Sequence, residues 1–284
     1  TNFIKNKTKI KLMTFGVMFH HFHDHFHKRG QGSISKNEFI NIISFLKKKY
    51  ILNNADVYIK KILKKNITAK DICLTFDDSL KCQMDIALPI LKKEKIKAFF
   101  FVYNGAFKNN PDNLEIFRYF RNIKYQNINL FYKDFFQCLR IFFPADFLKF
   151  QKKFTIKYLS QYKFYSTKDR QFRFCRDKIL NKNSYETLIF KLMKKKSFNY
   201  KLAIKKLFMT KSDLKNLVKH NQVVGLHSTS HPVNLPNLLY KDQMKEYKDN
   251  MYFIKKFTKS KPISMSHPFG RYNKTTLKIL NDIG

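Results

Sequence analysis

The stretch Asp71-Ile72-Cys73-Leu74-Thr75-Phe76-Asp77-Asp78-Ser79 decides how this chain is read. Ile72 to Phe76 are uncharged, apolar or β-branched, so they read as a buried strand. The strand delivers two adjacent carboxylates to its C-terminal end. Leu80, Met84, Ala87, Leu88 and Leu91 then recur at helical spacing, with Pro89 placed to kink or restart the helix. Strand ends that run through a turn into a helix are where α/β proteins place their chemistry. Two carboxylates side by side repel each other, so the pair calls for a cation.

The same rhythm extends on both sides. Ile10 to Phe19 reads as a first strand. Ser35 is an N-cap with Glu38 as its capping-box partner, and Phe39, Ile42, Ile43 and Leu46 mark the helix that follows. Residues 51–70 mix helix and loop signals. Lys97 to Val102, through Phe99-Phe100-Phe101, is another buried strand. Helix, strand, helix, strand over residues 36–102 is the signature of a parallel sheet wrapped by helices.

Residues 108–208 lack glycine and interleave aromatics with lysines, which reads as helical, with Phe135, Leu139, Phe142 and Phe143 as core positions. The α/β rhythm resumes with Thr210 as an N-cap paired with Asp213. Val223 to Leu226 is a strand that ends at His227. Residues 238–258 form a helix with Met244, Tyr247, Met251 and Ile254 inward. Pro262 to Ser266 is a short strand candidate, and a last helix starts near Lys274. The expected organisation is a first α/β part over 1–107, a helical insertion over 108–208 and a second α/β part over 209–284.

Composition bounds the function. The chain has 284 residues, enough for a sizeable core, and a formal charge of +37. Such a charge favours anionic partners, with anionic lipid at a surface among them. The lysines are spread along the chain and form no single arm, so no dedicated nucleic-acid site is expected. Cys73, Cys82, Cys138 and Cys175 form no CxxC pair and read as core residues. No apolar run reaches the length of a membrane span. Residues 1–11 are basic without a following apolar stretch, which makes the cytoplasm the expected compartment.

Three groups of residues carry candidate chemistry. His20-His21-Phe22-His23-Asp24-His25-Phe26-His27 follows the first strand, and in a continued strand His21, His23, His25 and His27 would share one face. One or two of His20, His21 and His23 are expected to line a pocket. His227 and His231 lie four residues apart after a strand and reach one ion if the turn between them is helical. Pro268-Phe269-Gly270 is a turn after the last strand candidate. Asp77-Asp78, the two histidines and this turn all fall at strand C-terminal ends, which converge on one face of a parallel barrel. One carboxylate and two imidazoles suit zinc or a similar divalent ion. An ion there acidifies water, and the other aspartate accepts the proton.

These residues resemble the motifs of the polysaccharide deacetylase family, the NodB-type carbohydrate esterases of family 4. Thr75-Phe76-Asp77-Asp78 resembles the first motif and His227-Ser228-Thr229-Ser230-His231-Pro232 the second. Ser266-His267-Pro268-Phe269-Gly270-Arg271-Tyr272-Asn273 resembles part of the third, with Ser266 where an arginine is usual. The resemblance covers roughly residues 10–107 and 209–284. It implies a distorted (β/α) barrel with a mostly helical insertion, and metal-dependent removal of an acetyl group from an N-acetylated sugar or glycan. By residue it implies Asp77 as the general base and Asp78, His227 and His231 as metal ligands. It further implies the Phe269 backbone N–H as an oxyanion donor, and Arg271, Tyr272, His20 and His21 as substrate contacts. The late Leu-x-x-His-Pro motif that supplies the family's general acid has no match after Asn273, so the chain reads as truncated. His267 or a histidine of the 20–27 cluster is then the candidate acid. Two other functions fit the residues: hydrolysis of another amide or an O-acetyl ester on the same fold, and a degenerate basic protein that binds anionic glycan or nucleic acid.

Overall fold

The computed structural model describes residues 15–284. The part of the expected first strand before Phe15 lies outside the described residues. They divide into two compact units, one of residues 15–111 with Phe208–Gly284, the other Asp112–Leu207.

The first unit is built on a parallel sheet. Its strands are β1 (Phe15–Phe19), β4 (Ile51–Leu52), β5 (Asp71–Phe76), β6 (Phe99–Val102) and β7 (Val223–Leu226); the two-residue strands β2 (Phe22–His23) and β3 (Ile34–Ser35) pair separately. The order is β1-β5-β6-β7, with β4 also pairing β5. Register sets the function. Phe19 lies beside Phe76, Phe76 beside Phe100, and Val102 beside Leu226. His20, Asp77 and His227 therefore all leave the sheet at the same end.

Buried aromatics hold this arrangement. Phe76 stacks on Phe100 at 4.6 Å between ring centroids, and Phe19 and Phe22 each meet Phe39 edge-on at 5.0 Å. Each such pair adds about 1 kcal/mol beyond the area it buries. Asp71 at the start of β5 is fully buried. It accepts hydrogen bonds from Asn53 Nδ2 (2.8 Å), Thr68 N (2.8 Å) and Thr68 Oγ (2.7 Å), and pairs with Lys61.

The helices follow their sequence signals closely. Ser35 and Glu38 form a reciprocal capping box on α1 (Lys36–Lys49). After α2 (Ala55–Leu63), the helix expected beyond Ser79 comes as a π-helical turn over Gln83–Ala87 followed by α3 (Leu88–Lys93). Pro89 explains this: it has no N–H to continue an α ladder, and the chain widens before it. Thr210 and Asp213 cap α10 (Lys211–Lys219), as read from sequence.

Two expectations are corrected. Pro262–Ser266 forms no strand; only Met265 bridges to Leu226, because the segment meets β7 for one residue before turning at Pro268. Gly225 permits that approach. A Cβ there would lie 2.7 Å from the Phe101 ring and 2.7 Å from the Ser264 carbonyl. In α11 (Tyr240–Thr258) the buried stripe is Gln243, Tyr247, Asn250 and Ile254, with Met244 and Met251 only half-buried beside it.

The second unit is helical: α4 (Asn113–Lys124), α5 (Ile128–Phe142), α6 (Pro144–Lys153), α7 (Thr167–Phe174), α8 (Lys182–Lys195) and α9 (Tyr200–Leu207). Phe131, Phe135 and Phe172 pack together at its centre, with Leu139 also fully buried. Phe142 is exposed and Phe143 half-buried, contrary to expectation. They sit where α5 stops and Pro144 starts the next helix, so neither faces the core. Among the described residues no helix is long and apolar enough to cross a membrane, and the four cysteines are buried and form no disulfide.

Candidate metal centre and active site

Asp78, His227 and His231 come together beyond the strand ends, all three buried. One ligand atom from each lies within 4.8 Å of the others. His227 Nε2 and His231 Nε2 each stand 3.3 Å from Asp78 Oδ1. The turn between the histidines is not helical, which corrects the expectation. Ser228 and His231 instead take left-handed backbone conformations, at φ of 66° and 55°. The two rings still meet, 4.8 Å apart.

The donor chemistry fits a cation. His227 Nδ1 lies 2.8 Å from the Ser266 carbonyl, which only accepts, so Nδ1 carries a hydrogen. In the neutral imidazole Nε2 is then an acceptor aimed at a carboxylate oxygen. Two acceptors 3.3 Å apart need a positive charge between them or a second proton on the ring. Two imidazoles and a carboxylate converging in this way match a zinc-type donor set.

Asp77 points to a different partner. Its Oδ2 accepts a 2.8 Å hydrogen bond from Ser266 Oγ. Its Oδ1 is buried and has no hydrogen-bond partner among the described residues. Burial pushes the Asp77 carboxyl above its ordinary range against the pull of His227, and the charge of Asp78 adds to the rise. Burial also works against ionisation of Asp78, but without an ion between them a second proton on His227 lets Nε2 donate to Asp78, and that bond together with His231 and His20 outweighs it. They hold that carboxyl well below the usual range. The two aspartates are thus driven apart, one towards proton uptake and one towards permanent charge.

The other sequence candidates scatter. His20 Nε2 is 3.6 Å from Asp78 Oδ2 and about one-third exposed, so it borders the trio. His21 stacks beside His20. The rest of the cluster does not share a face, because the chain bends after two residues of β2. His23 Nδ1 meets Ser33 Oγ, His25 packs on Phe26, and His27 pairs with Asp85 at 3.0 Å. His267 stacks on Tyr272 at 4.5 Å and meets the Tyr247 hydroxyl at 3.2 Å. Burial, with His227 nearby, pushes its pKa down to about 4. Phe269 has a left-handed backbone, with its ring 4.9 Å from that of His231. Arg271 Nη1 donates to the Val233 carbonyl at 2.9 Å and to Asn234 Oδ1 at 3.3 Å, holding the chain just past His231.

Sequence reasoning missed four supporting residues. Ser266 was noted only as a missing arginine. Gln83 Nε2 donates to the Asp77 carbonyl at 2.6 Å and to the His20 carbonyl at 3.0 Å, joining two strand ends. Asn250 and Glu246 bind the loop that carries the histidines. For Gln83 and Asn250 a signal was present, since each is an amide on the inner stripe of a helix.

The family model for polysaccharide deacetylase matches residues 64–119 and 177–284, more than half of the chain, and the chain belongs to that family. Solved structures of similar fold include a Streptococcus pyogenes deacetylase, PplD, in complex with acetate (16% identity, TM-score 0.54, covering 95% of this chain and 80% of that one). IcaB from Ammonifex degensii gives 16% identity and a TM-score of 0.56, covering 96% and 81%. A de-N-acetylase from Aggregatibacter actinomycetemcomitans gives 13% and 0.53, covering 95% and 84%. At these identities the likeness is one of fold, a mixed α/β architecture with a parallel sheet. No curated protein sequence matches the chain.

Proposed function

We propose that the chain removes an acetyl group from an N-acetylated sugar or glycan with the help of a divalent ion, zinc by its donor set. The observation that carries this reading is the buried trio of Asp78, His227 and His231 beside an Asp77 whose Oδ1 has no partner among the described residues. When bound, the ion supplies Lewis acidity that polarises the acetyl carbonyl and acidifies water.

The chain's own residues do the rest. Asp78, His227 and His231 hold the ion. Asp77 takes the proton of the attacking water through Oδ1, while Ser266 fixes Oδ2. The Phe269 N–H donates to the oxygen that gains charge as the carbonyl becomes tetrahedral, a contribution of about 3 kcal/mol where the aim is good. When the C–N bond breaks, the nitrogen needs a proton. His267 is uncharged at neutral pH with a pKa of about 4, which leaves His20 as the imidazole bordering the trio. Tyr272 and His21 stand as substrate contacts.

The test is metal content of the purified protein alongside Asp78→Ala and His227→Ala, followed by acetate release from N-acetylated sugars. About one divalent ion per chain, lost in both variants, with chelator-sensitive acetate release, is the expected result. A protein that takes up no zinc or cobalt would move the function to binding by the basic surface.

A further inference from the structure

We infer that Glu246 and Asn250, one turn apart on α11, are positioning residues that set the geometry of the His227–His231 loop for the ion. The inference rests on the metal reading above. The loop is short, lacks glycine and holds Ser228 and His231 at positive φ, a conformation that L residues adopt only when their surroundings enforce it. Its backbone donors show what enforces it. The His227 N–H donates to Asn250 Oδ1 at 2.9 Å. The Thr229 and Ser230 N–H groups both donate to Glu246 Oε2 at 2.8 Å. Ser230 Oγ donates to Glu246 Oε1 at 2.7 Å, and Thr229 Oγ to the Glu246 carbonyl at 3.0 Å. The His231 N–H is taken within the loop by Ser228 Oγ at 3.1 Å.

One helix face thus grips the loop at its entry and at its middle. The i, i+4 spacing puts both side chains on one line along the helix. Asn250 is itself fixed, because its Nδ2 donates to the Val102 carbonyl at 2.8 Å and to Asn104 Oδ1 at 3.3 Å, tying the loop to the end of β6. A carboxylate that accepts two backbone N–H groups and a hydroxyl makes charge-assisted bonds, the strong kind. Asn250 holds the backbone of His227 and Glu246 that of Thr229 and Ser230, so both act through the backbone that aims the imidazoles. Groups that orient metal ligands in this way change affinity about 10- to 100-fold when removed.

The experiment is zinc affinity, measured by competition with a chromophoric chelator, for the parent, Glu246→Ala and Glu246→Gln, with the melting temperature of each metal-free protein. Glu246→Ala is expected to bind zinc at least tenfold more weakly while its metal-free melting temperature stays close to the parent's. Glu246→Gln keeps one acceptor oxygen for the Thr229 and Ser230 N–H groups, with its NH2 able to donate to Ser230 Oγ, and is expected to stay within about threefold of the parent. Should Glu246→Ala fail to fold, Glu246→Asp, one methylene short, carries the same expectation of weakened binding. Parent-like affinity in the shortened variant would overturn the inference, as would a Gln variant as weak as Ala. A parent that binds no zinc would overturn the metal reading itself and this inference with it.

Discussion

Ser266 donates its hydroxyl to Asp77 Oδ2 at 2.8 Å, across 189 residues of sequence. Its carbonyl accepts from His227 Nδ1 at the same distance. One residue thus fixes the carboxylate assigned as base and the tautomer of an assigned ligand. Ser266→Ala removes the first bond and keeps the second. It leaves a buried carboxylate with neither oxygen paired, a loss of about 1–3 kcal/mol. The expected outcome is a fall of about 10- to 100-fold in kcat with unchanged zinc stoichiometry, read by acetate release and elemental analysis.

Asp77 and Asp78 are neighbours with opposite assignments. Asp77→Asn is expected to retain zinc and lose activity by at least about a hundredfold, the scale of a general base. His231→Ala is expected to lose both. Activity that survives Asp77→Asn would remove Asp77 from the base role, and full metal content in His231→Ala would remove that ligand.

Asp71 sets an acid limit on stability. Its burial alone would raise the carboxyl pKa, but hydrogen bonds from Lys61, Thr68 and Asn53 hold it well below the usual carboxylate range. A depressed folded-state pKa contributes stability above the unfolded value of about 3.9 and loses it as pH falls below that. Asp71→Asn is expected to cost about 2 kcal/mol at pH 7. The gap between the two melting temperatures should close from about pH 4 downward; a gap constant with pH would refute the assignment.

His267 titrates far from neutrality. With a folded pKa of about 4 against an ordinary 6.5, it stays uncharged in the folded protein at pH 6–8. Its contribution to stability is present above pH 6.5 and declines as pH falls towards 4, because the unfolded chain takes up the proton first. An imidazole resonance assigned to His267 by NMR should titrate below pH 5. A midpoint near 6.5 would return His267 to the list of candidate acids.

Gly225→Ala is expected to act on the site from a distance. The added Cβ meets the Phe101 ring and the Ser264 carbonyl, so the Ser264–Ser266 segment must move. A cost of about 1–3 kcal/mol follows from such overpacking. Activity should fall with it, because Ser266 leaves Asp77; a stable, fully active variant would show that the segment can shift without consequence.

Much of this was legible because β5, β6 and β7 are buried on both faces and spell themselves as apolar runs, while Ser35, Thr210 and their acidic partners announce helix starts. The trio was legible because Asp78, His227 and His231 each follow such a run. What was not legible depends on contacts between distant segments. Pro262–Ser266 has strand composition, but it meets β7 only where Met265 bridges to Leu226. Spacing suggested a helical turn between His227 and His231, whereas side chains from α11 impose left-handed backbone. The His20–His27 cluster looked like one face until a bend after His23 separated its rings.

The residues that build the site are joined over long separations. Asp78 meets His227 across 149 positions, and Asp77 meets Ser266 across 189. The helices of 112–207, by contrast, are each built on backbone bonds between residues about one turn apart. Closing long loops carries an entropic cost before any contact forms, so local helices order first and distant pairings last. The acidic pair therefore leaves the ribosome well ahead of its histidines. The site cannot close around that pair until the segment carrying His227 and His231 has also been made, so its two halves meet only across the full separation.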